Sequence, residues 1–108
     1  MDYGNRPSGE AKGMGFFGEL KRPDGDVSTE ISVGVGMDGK EMEIPLIVPT
    51  LTKKELNYLL NTDINSKKFF NNMPPSIMDK AYEHAKTRIK SGMSPFAGPD
   101  EIVEPPAK

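Results

Sequence analysis

The chain has 108 residues, a formal net charge of −2 and no cysteine. This length limits it to one small domain. The missing cysteines exclude a disulfide framework and a thiolate metal site, and the charge provides no broad basic surface for nucleic acid. The polar, glycine-rich N-terminus lacks the pattern of a signal peptide, and no apolar run approaches the ~20 residues of a membrane span.

Residues 1–22 show neither helical nor strand periodicity and contain five glycines. This composition is typical of a flexible arm. Within the arm, Phe16 and Phe17 are flanked by glycines and followed by Leu20. Two functions are open for these side chains: they cover one end of the apolar face of the following hairpin, or they anchor the arm in a partner's pocket.

A turn over residues 23–26 is predicted to lead into a β-hairpin over residues 27–48, because two alternating apolar runs flank Asp38-Gly39. With these two residues in the loop, one register is predicted. Its apolar pairs are Val35–Met42, Val33–Ile44, Ile31–Leu46 and Thr29–Val48. A slip by one residue would reverse the two faces, so we expect this register to be strongly fixed.

The opposite face of the hairpin is predicted to be polar and exposed. It carries Glu30, Ser32, Gly34, Gly36, Glu41 and Glu43. Pro45 falls opposite Ser32 at a position without ladder hydrogen bonds, so its missing N–H costs nothing within the hairpin. Pro45 and Pro49 therefore indicate an edge that is protected from further pairing.

A first helix is predicted to begin after Thr52, because Glu55 stands at the capping-box spacing and Leu51 and Leu56 at the spacing of a hydrophobic staple. It should end near residue 61. Residues 61–73 are predicted to be a polar connection. The run Lys67-Lys68-Phe69-Phe70 could stack on nucleic-acid bases, but the acidic net charge favours a loop with solvated lysines and buried rings.

A second helix is predicted over residues 75–91, with Ile77, Ala81, Ala85 and Ile89 at helical spacing and Gly92 as the residue that ends it. Met78 and Tyr82 widen its apolar stripe. Phe96 is expected to pack back on the domain. Residues 98–108 contain three prolines and are expected to be extended or disordered.

The sequence contains no recognisable catalytic or metal-binding constellation. His84 is the only histidine, and Lys80 and Arg88 occupy the positions one turn away where a second ligand would stand. Asp24-Gly25-Asp26 resembles the opening of a calcium loop, but the later ligands are missing, so we interpret it as a turn. The glutamates of the hairpin are expected to be solvated. We therefore expect no enzyme activity and no cofactor.

Three stretches of the sequence are similar to a known domain. They are residues 15–21 (GFFGELK), residues 27–35 with residues 38–41 (DGKE), and Ile44-Pro45 with residues 48–52 (VPTLT), followed by the stretch from Ala81 to Phe96. Together they resemble a small domain of tailed-bacteriophage virion-associated proteins, over roughly residues 13–97. The resemblance implies a structural role in the virion and brings no family active site.

The sequence thus predicts an α+β fold: an antiparallel β-hairpin packed on two helices, with extended N- and C-terminal arms. The predicted divisions are residues 1–22 (arm), 23–97 (domain) and 98–108 (tail). The predicted function is a non-enzymatic phage structural protein in a multicopy assembly with other virion proteins at a head, portal or tail, without nucleic acid or membrane contact. The alternative is a small phage-encoded protein that modulates a host factor. The predicted partner-binding residues are Phe16, Phe17, Leu20, Phe69, Phe70 and Phe96.

Overall fold

The computed structural model describes residues 4–6 and 9–106, and within them it has an α+β fold. Two antiparallel hairpins precede three helices. In chain order the elements are β1 (Leu20–Lys21), β2 (Val27–Ser28), β3 (Ser32–Met37), β4 (Lys40–Pro45), α1 (Lys53–Asn61), α2 (Lys67–Asn71) and α3 (Pro75–Lys90). The predicted fold class is confirmed, with a second short hairpin and a third helix added to it.

The β3–β4 hairpin has the predicted register. Val33 pairs with Ile44, and Val35 pairs with Met42. Asp38 and Gly39 have φ values of 52° and 79°, the left-handed conformation that a two-residue turn of type I′ requires at both positions. The Leu46 N–H donates to the Ile31 carbonyl at 2.7 Å, which extends the pattern by one pair. The predicted Thr29–Val48 pair lies beyond the end of the ladder.

The predicted turn over residues 23–26 joins β1 to β2. The Gly25 N–H donates to the Arg22 carbonyl at 3.0 Å, and the Asp26 N–H donates to Asp24 Oδ1 at 2.9 Å. Asp24 thus forms an Asx turn, the local structure that short acidic side chains favour. The interpretation of Asp24-Gly25-Asp26 as a turn is confirmed.

Helix α1 begins as predicted. The Glu55 N–H donates to Thr52 Oγ1 at 3.2 Å, and the Thr52 N–H donates to Glu55 Oε1 at 2.8 Å. This is a complete capping box. Leu51 and Leu56, the two members of the predicted staple, are both buried.

The predicted polar connection over residues 61–73 contains helix α2, which the sequence analysis missed. The Ser66 side chain caps it by accepting from the Lys68 N–H at 3.1 Å. Phe69 is fully buried, and the Tyr58 hydroxyl donates to the Phe69 carbonyl at 2.6 Å. A helix of five residues has too little periodicity to be recognised from the sequence, and its stability depends on the burial of the Phe69 ring.

Helix α3 packs against β4 and buries Ile77, Ala81 and Ala85, as predicted. Beyond its last residue, Gly92 has a φ of 77°. The Gly92 N–H donates to the Ile89 carbonyl at 3.0 Å, and the Met93 N–H donates to the Arg88 carbonyl at 2.9 Å. These two bonds form a Schellman motif, which confirms Gly92 as the residue that ends the helix.

The second half of the predicted N-terminal arm buries three apolar side chains. Phe16, Phe17 and Leu20 are each less than 8% exposed and belong to the same core as the hairpin and the helices. Gly15 has a φ of +71°, and a Cβ added there would lie 2.0 Å from the Thr29 carbonyl oxygen. Glycine is therefore required where this segment crosses the chain ahead of β3. The first part of the predicted arm, residues 1–3 and 7–8, lies outside the described residues.

The described part of the predicted tail, residues 98–106, has an irregular path without helix or strand but is bound to the domain. Arg88 on α3 contacts both carboxylate oxygens of Glu101 at 2.7 and 2.8 Å. The Val103 N–H donates to the Phe16 carbonyl at 2.7 Å. These bonds hold the described part of the tail against α3 and the segment that carries Phe16.

Candidate functional site

Four of the six predicted partner-binding side chains lie inside the protein. Phe16, Phe17, Leu20 and Phe69 are buried in its core, so in this fold they are not exposed to solvent. For Phe16 and Phe17, burial agrees with the first of the two functions considered above, in which these rings cover the apolar face of the hairpin. In the sequence, neighbouring rings such as Phe69 and Phe70 are equivalent, because only the packing of the helices decides which ring is covered.

The remaining two predicted side chains differ in exposure. Phe70 is 51% exposed, although its ring packs edge-on against that of Phe69 with centroids 5.0 Å apart. Phe96 is half-buried, and the Arg6 guanidinium lies 3.8 Å from the centre of its ring. Phe70 is therefore the predicted aromatic residue that the fold presents to solvent.

A groove runs between the N-terminal part of the chain and the connection from α1 to α2. We call it the Phe70 groove. A larger section of about 620 Å³ and a smaller one of about 290 Å³ share Lys12, Ile64 and Asn65. The smaller section is also lined by Phe70, and Ile64 is 39% exposed. Two solvent-exposed apolar side chains thus line one surface concavity, which is a common feature of protein contact sites.

The larger section of the Phe70 groove is charged. Its acidic side chains are Asp24, Asp26 and Asp63, and its basic ones are Lys12 and Arg22. Arg22 is held in place because its guanidinium donates to the Thr62 carbonyl at 2.9 Å and to Ser28 Oγ at 3.2 Å. These bonds tie the β1–β2 hairpin to the end of α1. The groove therefore has one firmly positioned wall, and its charges are of both signs.

A buried ion pair lies on the hairpin face that was predicted to be exposed. Glu30 is only 2% exposed, and the Arg6 guanidinium binds both of its carboxylate oxygens at 2.8 Å. The Gly13 N–H adds a third bond at 3.0 Å. The bonds to Glu30 raise the pKa of Arg6 above its usual value, against the effect of burial. The prediction of a solvated Glu30 is wrong, because the N-terminal segment folds over it.

Glu55 is a second buried carboxylate, and it joins α1 to α3. Lys80 Nζ donates to it at 2.6 Å, and the Ser76 hydroxyl donates to its other oxygen. Burial acts to raise the pKa of Glu55, but the bonds from Lys80, Ser76 and the Thr52 N–H outweigh it and lower the pKa to about 2. A carboxylate held ionised in this way is a weak proton acceptor near neutral pH, so its geometry suits structural bracing.

His84 faces the N-terminal segment from α3. The Phe16 ring meets its imidazole edge-on, with centroids 4.9 Å apart, and its Nδ1 is buried without a hydrogen-bond partner among the described residues. Burial, followed by the positive charge of Arg88, lowers the pKa of His84, while Glu101 acts in the opposite direction. The packing of this ring on Phe16 therefore helps to hold the N-terminal segment against α3.

Within residues 4–6 and 9–106, no group of three or more histidine, aspartate or glutamate side chains could hold a metal ion. No helix in the same residues is both long and apolar enough to cross a membrane.

No protein-family model, curated protein or solved structure matches the chain. The site is therefore defined by its own geometry: an apolar rim at Ile64 and Phe70 and a charged interior fixed by Arg22.

Proposed function

We propose that the chain is a non-enzymatic, virion-associated structural protein of a tailed bacteriophage that acts through protein–protein contacts in a multicopy assembly. The resemblance of residues 13–97 suggested this role. The observation that carries the contact function is the exposure of Phe70 at the rim of a groove, next to Ile64. Exposed aromatic side chains beside a concavity are the typical anchors of protein interfaces.

The charged groups of the fold agree with this proposal. Three short ion pairs join segments that are distant in the chain, namely Arg6–Glu30, Lys80–Glu55 and Arg88–Glu101. Such bonds fix the N-terminal segment, the helices and the tail in one arrangement. A rigid body with a preformed groove loses little conformational entropy on binding, which favours assembly.

The proposed partners are other virion proteins, and the proposed location is the virion, after synthesis in the host cytoplasm. Quantitative mass spectrometry of purified particles of the phage that encodes the chain tests this location. We expect the chain at a regular copy number per particle. Its absence from particles, with abundant protein in the infected cell, would overturn the proposal and favour the alternative of a host-directed phage protein.

A matched pair of variants tests the contact surface. We expect Phe70→Ala to reduce incorporation into particles at least about tenfold, since truncation of a central aromatic contact typically costs 2 kcal/mol or more. Met93→Ala is the control, because Met93 is 42% exposed and does not line the Phe70 groove. Equal incorporation of the two variants would exclude the groove as the contact surface.

A further inference from the structure

The two outer edges of the β3–β4 hairpin differ in how they are protected. Because Met37 and Lys40 close the turn as a hydrogen-bonded pair, alternate residues of each strand direct their backbone N–H and C=O groups outward. On β4 these residues are Glu41, Glu43 and Pro45. Two carboxylates and a proline without an N–H are the usual means of blocking an edge against further pairing.

The edge of β3 has none of these protections. Its outward residues are Ser32, Gly34 and Gly36. Both glycines are exposed, and a Cβ added to either would meet nothing within 4 Å. In the part of the chain that the structure describes, β3 pairs with β4 alone, and α3 packs against β4. Among the described residues, the β3 edge is therefore an open row of backbone donors and acceptors.

The side chains of β3 also leave an apolar strip incompletely covered. Val33 and Val35 alternate with the outward residues and are only half-buried, as is Met42 on the neighbouring strand. A strand added along β3 would cover this strip on the face that bears the core. The added strand must then present apolar side chains at the positions opposite Val33 and Val35 and small ones opposite the glycines.

We propose that the β3 edge binds a second copy of this chain through antiparallel pairing of β3 with β3. The strand is complementary to itself about a twofold axis. With Gly34 opposite the second copy's Gly34, Ser32 falls opposite Gly36, and Val33 falls opposite Val35. Every outward-directed residue then meets an outward-directed residue, as antiparallel bonding requires. The two apolar strips become continuous, and the small residues remain together on the other face.

The result is a four-stranded sheet with two strands from each copy, and both of its new edges are protected β4 strands. Addition of copies therefore stops at the dimer, because a twofold contact uses the same edge of both chains. A six-residue strand covers less than the ~800 Å² per partner of a standard interface. The dimer is accordingly weak, with a dissociation constant of roughly 10 µM to 1 mM. This inference stands on the register and is independent of the proposed location in a virion.

The experiment is amide hydrogen exchange by NMR together with sedimentation velocity on the full chain, from about 20 µM to about 1 mM. At low concentration the amides of Val33, Val35 and Met37 are protected by the hairpin. We expect those of Ser32, Gly34 and Gly36 to gain protection as the dimer forms. This alternation distinguishes β3 pairing from association through any other surface.

Gly34→Pro is the blocking variant, and Gly34→Ala is its control. Proline removes an N–H that points away from β4, and the fold already accepts Pro45 at the equivalent class of position on β4. Loss of the two bonds of the Gly34 pair should weaken dimerisation at least about 30-fold. Alanine keeps the N–H and fits the open space, so we expect its dissociation constant to stay within about threefold.

Three results would overturn the inference. The first is a monomer at every concentration. The second is a dimer that Gly34→Pro leaves intact while Val33, Val35 and Met37 remain protected. The third is protection of Ser32, Gly34 and Gly36 only in mixtures with another protein, which would assign the edge to a different chain.

Discussion

The β3–β4 hairpin and the N-terminal segment, residues 4–6 and 9–22, contribute to the same core by opposite means. The hairpin has strict alternation and a turn that only one register fits, so its local sequence specifies its structure. The N-terminal segment has no periodicity, yet it buries Phe16, Phe17 and Leu20. Its conformation depends on contacts with residues far away in the chain. The comparison shows that absence of a pattern does not mean absence of structure.

The largest expected effect comes from removing an aromatic side chain of the N-terminal segment. We expect Phe16→Ala to lower the free energy of unfolding by about 4 kcal/mol, because a fully buried ring leaves a cavity. Urea unfolding followed by circular dichroism measures the change. Met14→Ala is the control, since Met14 is 37% exposed, and it should change stability by less than about 0.5 kcal/mol. Equal midpoints for the two variants would mean that the segment is a dispensable arm.

The next largest effect tests whether the N-terminal segment also neutralises the buried charge of Glu30. Arg6→Ala leaves the carboxylate of Glu30 buried without its counter-ion, and we expect a loss of about 3 kcal/mol. Glu10→Ala is the control, because Glu10 contacts the same guanidinium at 3.7 Å but is 75% exposed. Exposed ion pairs contribute little, so its effect should stay below about 0.5 kcal/mol. Thermal unfolding at neutral pH compares the two, and an equal shift would contradict a buried pair.

A smaller effect is the difference in stability between two glycine substitutions, one at a site where the chain passes close by and one at a site where only the backbone conformation matters. Gly15 and Gly18 both have a φ of +71°, but an added Cβ meets the Thr29 carbonyl oxygen at 2.0 Å only at Gly15. At Gly18 its nearest neighbour is Ile102 Cγ2 at 3.7 Å. We expect Gly18→Ala to cost about 1 kcal/mol for the left-handed conformation. Gly15→Ala should cost about 3 kcal/mol, because the chain must also move. Urea unfolding measures the stability of both variants. Similar costs would mean that the chain at Gly15 does not pass closely over the Thr29 carbonyl.

The smallest effect concerns the pH dependence that Glu55 confers. Its pKa of about 2 lies below the ordinary value of 4.5, so the folded state binds fewer protons than the unfolded state in this range. The stabilisation is complete above pH 4.5 and is lost as the pH falls through about 2. We expect this to contribute about 1.5 kcal/mol, the typical value for hydrogen bonds to a charged group.

Glu55→Gln isolates that contribution. The difference in unfolding free energy between the natural chain and this variant should shrink as the pH falls from 5 to 2, measured by urea unfolding at each pH. Glu101→Gln is a parallel control: Arg88 and the Gly98 N–H lower the pKa of Glu101 to about 2 as well, but at a more exposed position. A Glu55→Gln difference that is constant with pH would show that Lys80 and Ser76 contribute nothing to acid stability.

The candidate site was predicted in part. Phe70 was identified from the sequence together with five other apolar residues, of which Phe16, Phe17, Leu20 and Phe69 are in the core. Exposure decides between Phe69 and Phe70, and it depends on where α2 packs. The groove itself has no sequence signal, because Lys12, Arg22 and Ile64 come from three separate segments. Glu30 was expected in solvent but is buried.

The sequence by itself determined the elements whose hydrogen bonds are local. The register around Asp38-Gly39, the capping box of Thr52 and Glu55, and the helix end at Gly92 all follow from neighbouring residues. Only the tertiary structure decided the position of the N-terminal segment, the burial of Glu30 and the anchoring of the tail through Arg88 and Glu101. Those contacts join residues distant in the chain, and their free energy depends on burial, which no local pattern encodes.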